Sequence, residues 1–269
     1  MIKKIFVFLV SIFPYFTYLN KKIYYKINNL NKERAIIFIH GSGEHSFVWE
    51  SQIDDLDVAF SLITMDLPSH GKSDKYENLS LEIYVEAVRQ LIHVLKFKGV
   101  VLCGHSLGGA VAQQYYLKHR DNVKGLILCS TGAKLRVLPI ILENTLHNFD
   151  TFLNNIPIGA FYRKTKEKIK KSYVEEVSKI EPKVVHTDFK ICDNFDVIDK
   201  VGSIDIPCLI IVGDADKLTP VKYAEFFNKN IEDSTLKIIE KAGHSVMIEK
   251  PNKVNNAIKT FIKNKISDN

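Results

Sequence analysis

The chain has 269 residues, 46% hydrophobic and 25% charged, with a formal net charge of +6. That composition is ordinary for a globular protein, long enough for one large core plus an insertion, and it sets aside a repeat or low-complexity chain. Much of the positive charge lies in one stretch, where Arg163, Lys164, Lys166, Lys168, Lys170 and Lys171 are opposed only by Glu167. No aromatic residues interleave there as a nucleic-acid platform requires, so the stretch reads as a solvated helix face and no nucleic-acid partner is expected.

At the N-terminus Lys3 and Lys4 precede an apolar run from Ile5 to Phe13. The run is too short to span a bilayer as a helix, and no small-x-small cleavage site follows at Pro14, Tyr15, Phe16 and Thr17. It reads as a buried first strand or an apolar segment packed on the body, which implies a cytoplasmic protein without stable membrane insertion. Export or membrane association through this segment is the alternative. The spacing then predicts strands at Ile23 to Ile27, Ala35 to Ile39 and Ser61 to Met65. A helix follows from Leu81 to Leu95, with Ser80 as its N-cap and Glu82 in its first turn. Next come a strand at Gly99 to Cys103, a helix at Leu107 to His119 and a strand at Val123 to Cys129. The last strands are Cys208 to Val212 and Thr235 to Ile239, and Val254 to Ile266 is a closing helix. This alternation is that of a mostly parallel sheet with crossover helices, an α/β fold. Between Ser130 and Ile206 the rhythm breaks into helical pattern. The expected organisation is a core of residues 1–130 and 207–269, with a helical cap inserted at 131–206.

The four cysteines, Cys103, Cys129, Cys192 and Cys208, fit no zinc spacing and read as small buried residues in a reducing compartment. The sharpest signal is the strand Val100 to Cys103 running through Gly104-His105-Ser106-Leu107-Gly108 into a helix. A serine alcohol is a weak nucleophile and must meet a base and a substrate together. A tight strand-to-helix turn lifts its Oγ to the top of the sheet in a strained conformation. Glycines at 104 and 108 let strand and helix pass closely. The helix N-terminus and the Leu107 N–H favour negative charge on a substrate oxygen.

In this context the sequence resembles the α/β-hydrolase superfamily, of the serine esterase and lipase type. Four further segments fall in that family's chain order. They are His40-Gly41-Ser42-Gly43, Asp66-Leu67-Pro68-Ser69-His70-Gly71-Lys72-Ser73, Gly213-Asp214-Ala215-Asp216-Lys217-Leu218-Thr219-Pro220, and Gly243-His244-Ser245. Ser69 stands where the family usually has glycine. The resemblance spans Ile23 to Ile262 and implies Ser106 as nucleophile, Asp216 as acid and His244 as base. Asp214 is the runner-up acid, with a loop-holding role if Asp216 is correct. His105 is expected to point away from the pocket, His40 to brace the oxyanion loop and His70 to serve the turn. The oxyanion donors implied are the Leu107 and Ser42 N–H groups, with Gly43 as an alternative to Ser42.

The implied chemistry is acyl transfer without metal or organic cofactor, on a small-molecule acyl ester. A carboxylesterase for short- to medium-chain acyl groups is the first reading. A monoacylglycerol lipase, thioesterase or carbon–carbon bond hydrolase uses the same triad. A cofactor-free perhydrolase or haloperoxidase-like enzyme, and a silent binding protein, are more distant readings. Apolar residues of the insertion, from Leu135 to Phe161, line the pocket or seal the cap onto the body. Leu138, Ile141 and Leu142 are the candidate substrate contacts there. Trp49, after the oxyanion loop, contacts substrate or fills the core.

Overall fold

The computed structural model describes residues 14–29 and 33–266. The apolar run Ile5 to Phe13 lies outside the described residues. Those residues form a sheet of eight strands in the order β1-β2-β4-β3-β5-β6-β7-β8. β1 (Tyr15–Tyr18) pairs with β2 (Lys21–Asn28) in an antiparallel hairpin. Its turn residues Leu19 and Asn20 both have positive φ, 49° and 61°, the twist that two-residue hairpins need. The sequence pattern did not reveal β1, because its four residues alternate too briefly to stand out.

β2 lies antiparallel to β4 (Ser61–Met65), and the pairing is parallel from β4 onward. β3 (Arg34–Ile39), β5 (Gly99–His105), β6 (Val123–Cys129), β7 (Cys208–Gly213) and β8 (Ser234–Ile239) complete the sheet. β4, β5 and β7 are buried at every residue, so their sequences are nearly continuous apolar runs.

Adjacent residues along each strand enter opposite cores. Ile37, Leu102, Leu126 and Ile210 face one core, and Ile36, Val101, Ile127 and Leu209 face the other. The first core is supplied by α2 (Leu81–Leu95), α3 (Leu107–Lys118) and α8 (Val221–Asn230), joined by Cys192 from the segment between β6 and β7. The second core is covered by α1 (Glu50–Asp55) and α10 (Pro251–Phe261), with the short α9 (Val246–Glu249) beside them. The closing helix therefore ends its regular part at Phe261 and continues as a π turn to Ile266. α1 and α8 were absent from the sequence pattern.

Between β6 and β7 the chain forms α4 (Pro139–His147), α5 (Phe149–Gly159), α6 (Glu167–Val177) and α7 (Pro182–Asn194). Phe161, Tyr173 and Val177 from this segment join the second core, so the insertion is packed onto the sheet. Its basic stretch is largely solvated. Lys170 is the exception: it is buried, with its Nζ 2.8 Å from Glu167 Oε1. Among the described residues, no helix is long and apolar enough to cross a membrane.

α2 begins and ends where its spacing predicts, and Ser80 Oγ accepts the Ile83 N–H at 3.2 Å. Ser80→Ala should lower the unfolding free energy by about 1 kcal/mol, with an unchanged m-value in urea denaturation.

Candidate active site

β5 turns into α3 at Ser106, whose backbone sits at φ 52° and ψ −115°. Side-chain-bearing residues rarely occupy that region, and it persists only where the surroundings over-determine it. The Ser106 N–H donates to Cys129 O at 3.1 Å. Its carbonyl accepts from the Gly109 N–H at 2.9 Å and from Thr131 Oγ1 at 2.7 Å. A Cβ on Gly104 would lie 2.1 Å from Gly108 O, and one on Gly108 2.3 Å from Ile39 O. Strand and helix thus pass too closely for any side chain at either position.

His244, in the turn after β8, places Nδ1 3.0 Å from Asp216 Oδ2 and 3.1 Å from Oδ1. Asp216 follows β7. It also accepts from the Leu218 and Thr219 N–H groups and the Thr219 hydroxyl, each at 2.9 Å. Thr219 Oγ1 is itself 3.2 Å from His244 Nδ1. Burial pushes the Asp216 carboxyl up, but His244 and the Thr219 hydrogen bonds outweigh it and hold the group below its ordinary range. Burial works against the His244 imidazolium, yet Asp216, aided by Glu44 and Glu249, raises its pKa above the ordinary value. Asp214 is exposed and its Oδ1 accepts the Ala242 N–H at 3.3 Å, which is the loop-holding role expected of it.

The loop after β3 is held by side chains that sequence reading did not single out. Glu44 Oε2 accepts from the Gly41 N–H at 2.6 Å and from His105 Nδ1 at 2.9 Å. Glu44 Oε1 accepts the Tyr173 hydroxyl at 2.5 Å. Burial opposes the Glu44 charge, but His105, Tyr173 and Gly41 lower its pKa to about 2. His105 was expected to turn from the pocket; instead it belongs to the cavity wall, its ring buried between Glu44 and the His244 carbonyl, 3.2 Å from Nε2. His40 braces the loop as expected. Its Nε2 accepts the Leu67 N–H at 2.9 Å, so the proton sits on Nδ1 and is donated to Gly41 O at 2.9 Å. Burial, reinforced by nearby His70, drops the His40 pKa to about 3.

His70 does more than serve its turn. Nδ1 lies 3.0 Å from Pro68 O and Nε2 2.8 Å from Asp188 Oδ2 on α7. Burial disfavours its charge, but Asp188 and Pro68 prevail and raise its pKa. Asp188 Oδ2 also accepts the Gly43 N–H at 2.9 Å. Gly43 is therefore engaged elsewhere and does not replace Ser42. A carboxyl group on the apolar face formed by Val184, Val185 and Cys192 was the available signal for Asp188. Thr219 carried none.

Ser106, His244, Thr219, Ser42, Glu44 and His105 border one cavity of about 200 Å³. Its other wall is the insertion, with Leu135, Val137, Leu138, Ile141, Phe152, Ile156 and Phe189. Leu138 and Ile141 are thus where a substrate contact requires. Leu142 is not in the wall, because it lies one residue, about 100° of helix rotation, beyond Ile141. Trp49 is not there either. It is fully buried against Phe38, with ring centroids 5.1 Å apart, and fills the second core. Phe161 seals the insertion onto the body, while Leu146 and Ile158 are exposed. All four cysteines are free and buried, and Cys192 additionally lines the cavity. A larger groove of about 1080 Å³ runs along other residues of α7 and touches none of the candidate catalytic residues.

The Hydrolase_4 family model, described as "Serine aminopeptidase, S33", matches residues 31–251. A pimeloyl-acyl-carrier-protein methyl ester esterase of Wigglesworthia glossinidia brevipalpis is 30% identical over 245 residues, covering 85% of this chain and 93% of that protein. A solved structure described as a thermophilic esterase is 35% identical with a TM-score of 0.83, covering 93% of this chain and 96% of that one. The enol-lactonase of Burkholderia xenovorans LB400 superposes with a TM-score of 0.86, covering 93% and 100%, at 18% identity, a likeness of fold alone.

The Asp216 contact is the main cause raising the His244 pKa. In NMR titration His244 should protonate above pH 6.5 in the wild type, and Asp216→Asn should move it downward, because the imidazolium loses its counter-charge. An unmoved midpoint would separate the two residues.

Proposed function

The chain belongs to the α/β-hydrolase superfamily, within the Hydrolase_4 family, and on that footing we propose that it is a serine esterase cleaving short- to medium-chain acyl esters. One observation carries this reading: Ser106 in its strained turn and His244, backed by Asp216, border one cavity whose remaining wall is largely apolar.

In this mechanism Ser106 Oγ attacks the acyl carbonyl carbon and its proton passes to His244 Nε2. Asp216 holds the Nδ1–H and stabilises the imidazolium that forms. The carbonyl oxygen, now an anion, accepts from the Leu107 and Ser42 N–H groups, each donor contributing roughly 10²- to 10³-fold to the rate. The carbon–oxygen bond to the alcohol breaks, and His244 returns the proton to the leaving oxygen. Water then attacks the acyl-enzyme with His244 again as base, releasing the acid and restoring the Ser106 hydroxyl. Every proton moves between groups of this chain, the substrate and water. Leu138, Ile141, Phe152 and Ile156 would receive the acyl chain, as apolar walls receive a chain that leaves water. The insertion would act as the cap that sets acyl length.

A fluorophosphonate should label Ser106 in the wild type and leave Ser106→Ala unlabelled. Across a series of p-nitrophenyl esters of increasing acyl length, Ser106→Ala should lose on the order of 10⁴ to 10⁶ in kcat. Amino-acyl p-nitroanilides run in parallel distinguish an esterase from a peptidase. Asp216→Asn should cost about 10⁴ in kcat and Asp214→Asn less than about threefold; the reverse ranking would identify the wrong carboxylate.

The pH profile follows from the same pair. His244 must be neutral to act, and its folded pKa is raised, so kcat/KM should fall tenfold per pH unit below a break lying above 6.5. A kcat/KM that does not fall in acid would count against His244 as the base.

A further inference from the structure

The geometry points to Asp188 as a positioning residue that ties the helical insertion to the loop carrying the Ser42 amide, so that the seating of the insertion sets the second oxyanion donor. The inference rests on the acyl-transfer reading of the site and adds a residue to it.

Asp188 is fully buried on α7. It accepts from three partners on three other parts of the molecule: the Gly43 N–H at 2.9 Å, His70 Nε2 at 2.8 Å and the Tyr84 hydroxyl at 2.6 Å. Both oxygens are therefore engaged, and none of these partners belongs to the insertion. The contact is reinforced along the same helix face. Val185, one turn before, has its methyl carbons 3.2 Å from where a Gly43 Cβ would stand, and Gly43 has φ +65°. Cys192, one turn after, has its Sγ 3.4 Å from Ser42 Oγ. Positions 185, 188 and 192 share one face of an α-helix, so α7 rides on residues 42–43 along its length.

The consequence concerns Ser42. Its amide lies between two others that are each held by a buried acidic side chain. Glu44 holds the Gly41 N–H from within the loop, and Asp188 holds the Gly43 N–H from the insertion. With both neighbouring peptides fixed, the Ser42 N–H has little freedom to swing. A donor aimed before the reaction begins is worth more than one that must be oriented during it. The loop itself supplies one of these restraints, through Glu44, which Tyr173 of the insertion also holds, and α7 supplies the other. His70 completes the arrangement, because its second nitrogen is anchored 3.0 Å from Pro68 O in the turn after β4.

The test is Asp188→Asn, which keeps the size of the side chain and removes its ability to accept from all three donors at once. Circular dichroism and a thermal melt establish that the variant is folded at the assay temperature. On a p-nitrophenyl ester, kcat should fall roughly 10- to 100-fold, less than the loss of an oxyanion donor outright, while KM stays within about threefold. Affinity for an alkylboronic acid, which forms a tetrahedral adduct on the serine, should fall by a similar factor. Affinity for the product alcohol should not change. A folded variant with a lowered melting temperature but wild-type kcat and boronate affinity would overturn the inference and leave Asp188 a structural residue only. If Asp188→Asn does not fold, amide hydrogen exchange of Gly43 in the wild type decides. Protection comparable to β5 supports the pin, and exchange at the rate of an open loop overturns it. A wild type inert to both the ester and a fluorophosphonate would sink the acyl-transfer reading, and this inference with it.

Discussion

The backbone of Ser106 is the constraint from which the rest of the site follows. At φ 52° and ψ −115° it turns a strand directly into a helix with no loop between them. Such a turn requires glycine at 104 and 108, because each would otherwise drive a carbon into backbone. It also requires a sheet on which β5 is central and parallel to its neighbours, with β3 on one side and β6 on the other. Parallel strands then end on the same side. The chain leaving β3 gives residues 40–44, β4 gives the turn at 66–73, β7 gives Asp216 and β8 gives His244. Residues far apart in sequence converge because the topology sends every carboxyl end to one edge.

The convergence is fastened by buried polar pairs, which are costly to make and costlier to break. Among the described residues, three buried histidines each face a buried acid: His70 with Asp188, His105 with Glu44, and His244 with Asp216, at 2.8, 2.9 and 3.0 Å. Removing one partner of such a pair typically costs about 3–5 kcal/mol, because the other is left buried and unpaired. Two of the pairs join segments that leave neighbouring strands, β3 and β5 or β7 and β8, and the third joins the turn after β4 to the insertion. His40 shows the opposite solution. It has no carboxylate partner, stays neutral with a pKa near 3, and braces two backbone segments through one donated and one accepted bond. His70 lies 4.9 Å away, ring to ring, and its charge helps keep His40 neutral. His40 is thus held neutral while His70 and His244 are favoured as imidazolium, each according to what it faces.

Much of this was legible in the sequence, and the reason is physical. β4, β5 and β7 are buried on both faces, so they appear as uninterrupted apolar runs. Ser106 was recognisable because its glycines serve a steric need that no other residue type meets. Asp216 was preferred to Asp214 through the resemblance to the family's motif, and the structure gives each its own partner, His244 for one and the Ala242 amide for the other. What escaped was information that exists only after folding. Thr219 looks like any loop threonine until Asp216 curls back on it. Trp49 is the lone tryptophan and follows the loop after β3, yet the 3₁₀ turn at Ser46–Trp49 carries its ring into the core. Ile141 and Leu142 have nearly the same chemistry, and only helix phase puts one in the cavity wall and leaves the other out. β1 is short and needs β2 beside it to be a strand at all.

A division of labour between the two parts of the chain follows, and it has a limit. The loops at the sheet's edge carry the candidate catalytic groups, and the insertion carries most of the apolar wall. Such an arrangement lets substrate range vary by changing helices while the sheet stays fixed. α4 and α5 come closer to that description, since Leu138, Ile141, Phe152 and Ile156 line the cavity as apolar groups, although α5 meets the Asp216 loop at its end, where Lys217 Nζ donates to Ile158 O at 3.5 Å. α7 does not. It contributes Phe189 and Cys192 to the wall, and between its turns Asp188 is bonded to the backbone of the loop after β3. Reshaping the wall at α7 would shift that bond as well. On the proposed esterase reading, the wall at α4 and α5 can therefore change with less effect on the candidate catalytic loops than the wall at α7, so acyl preference would be set by α4 and α5.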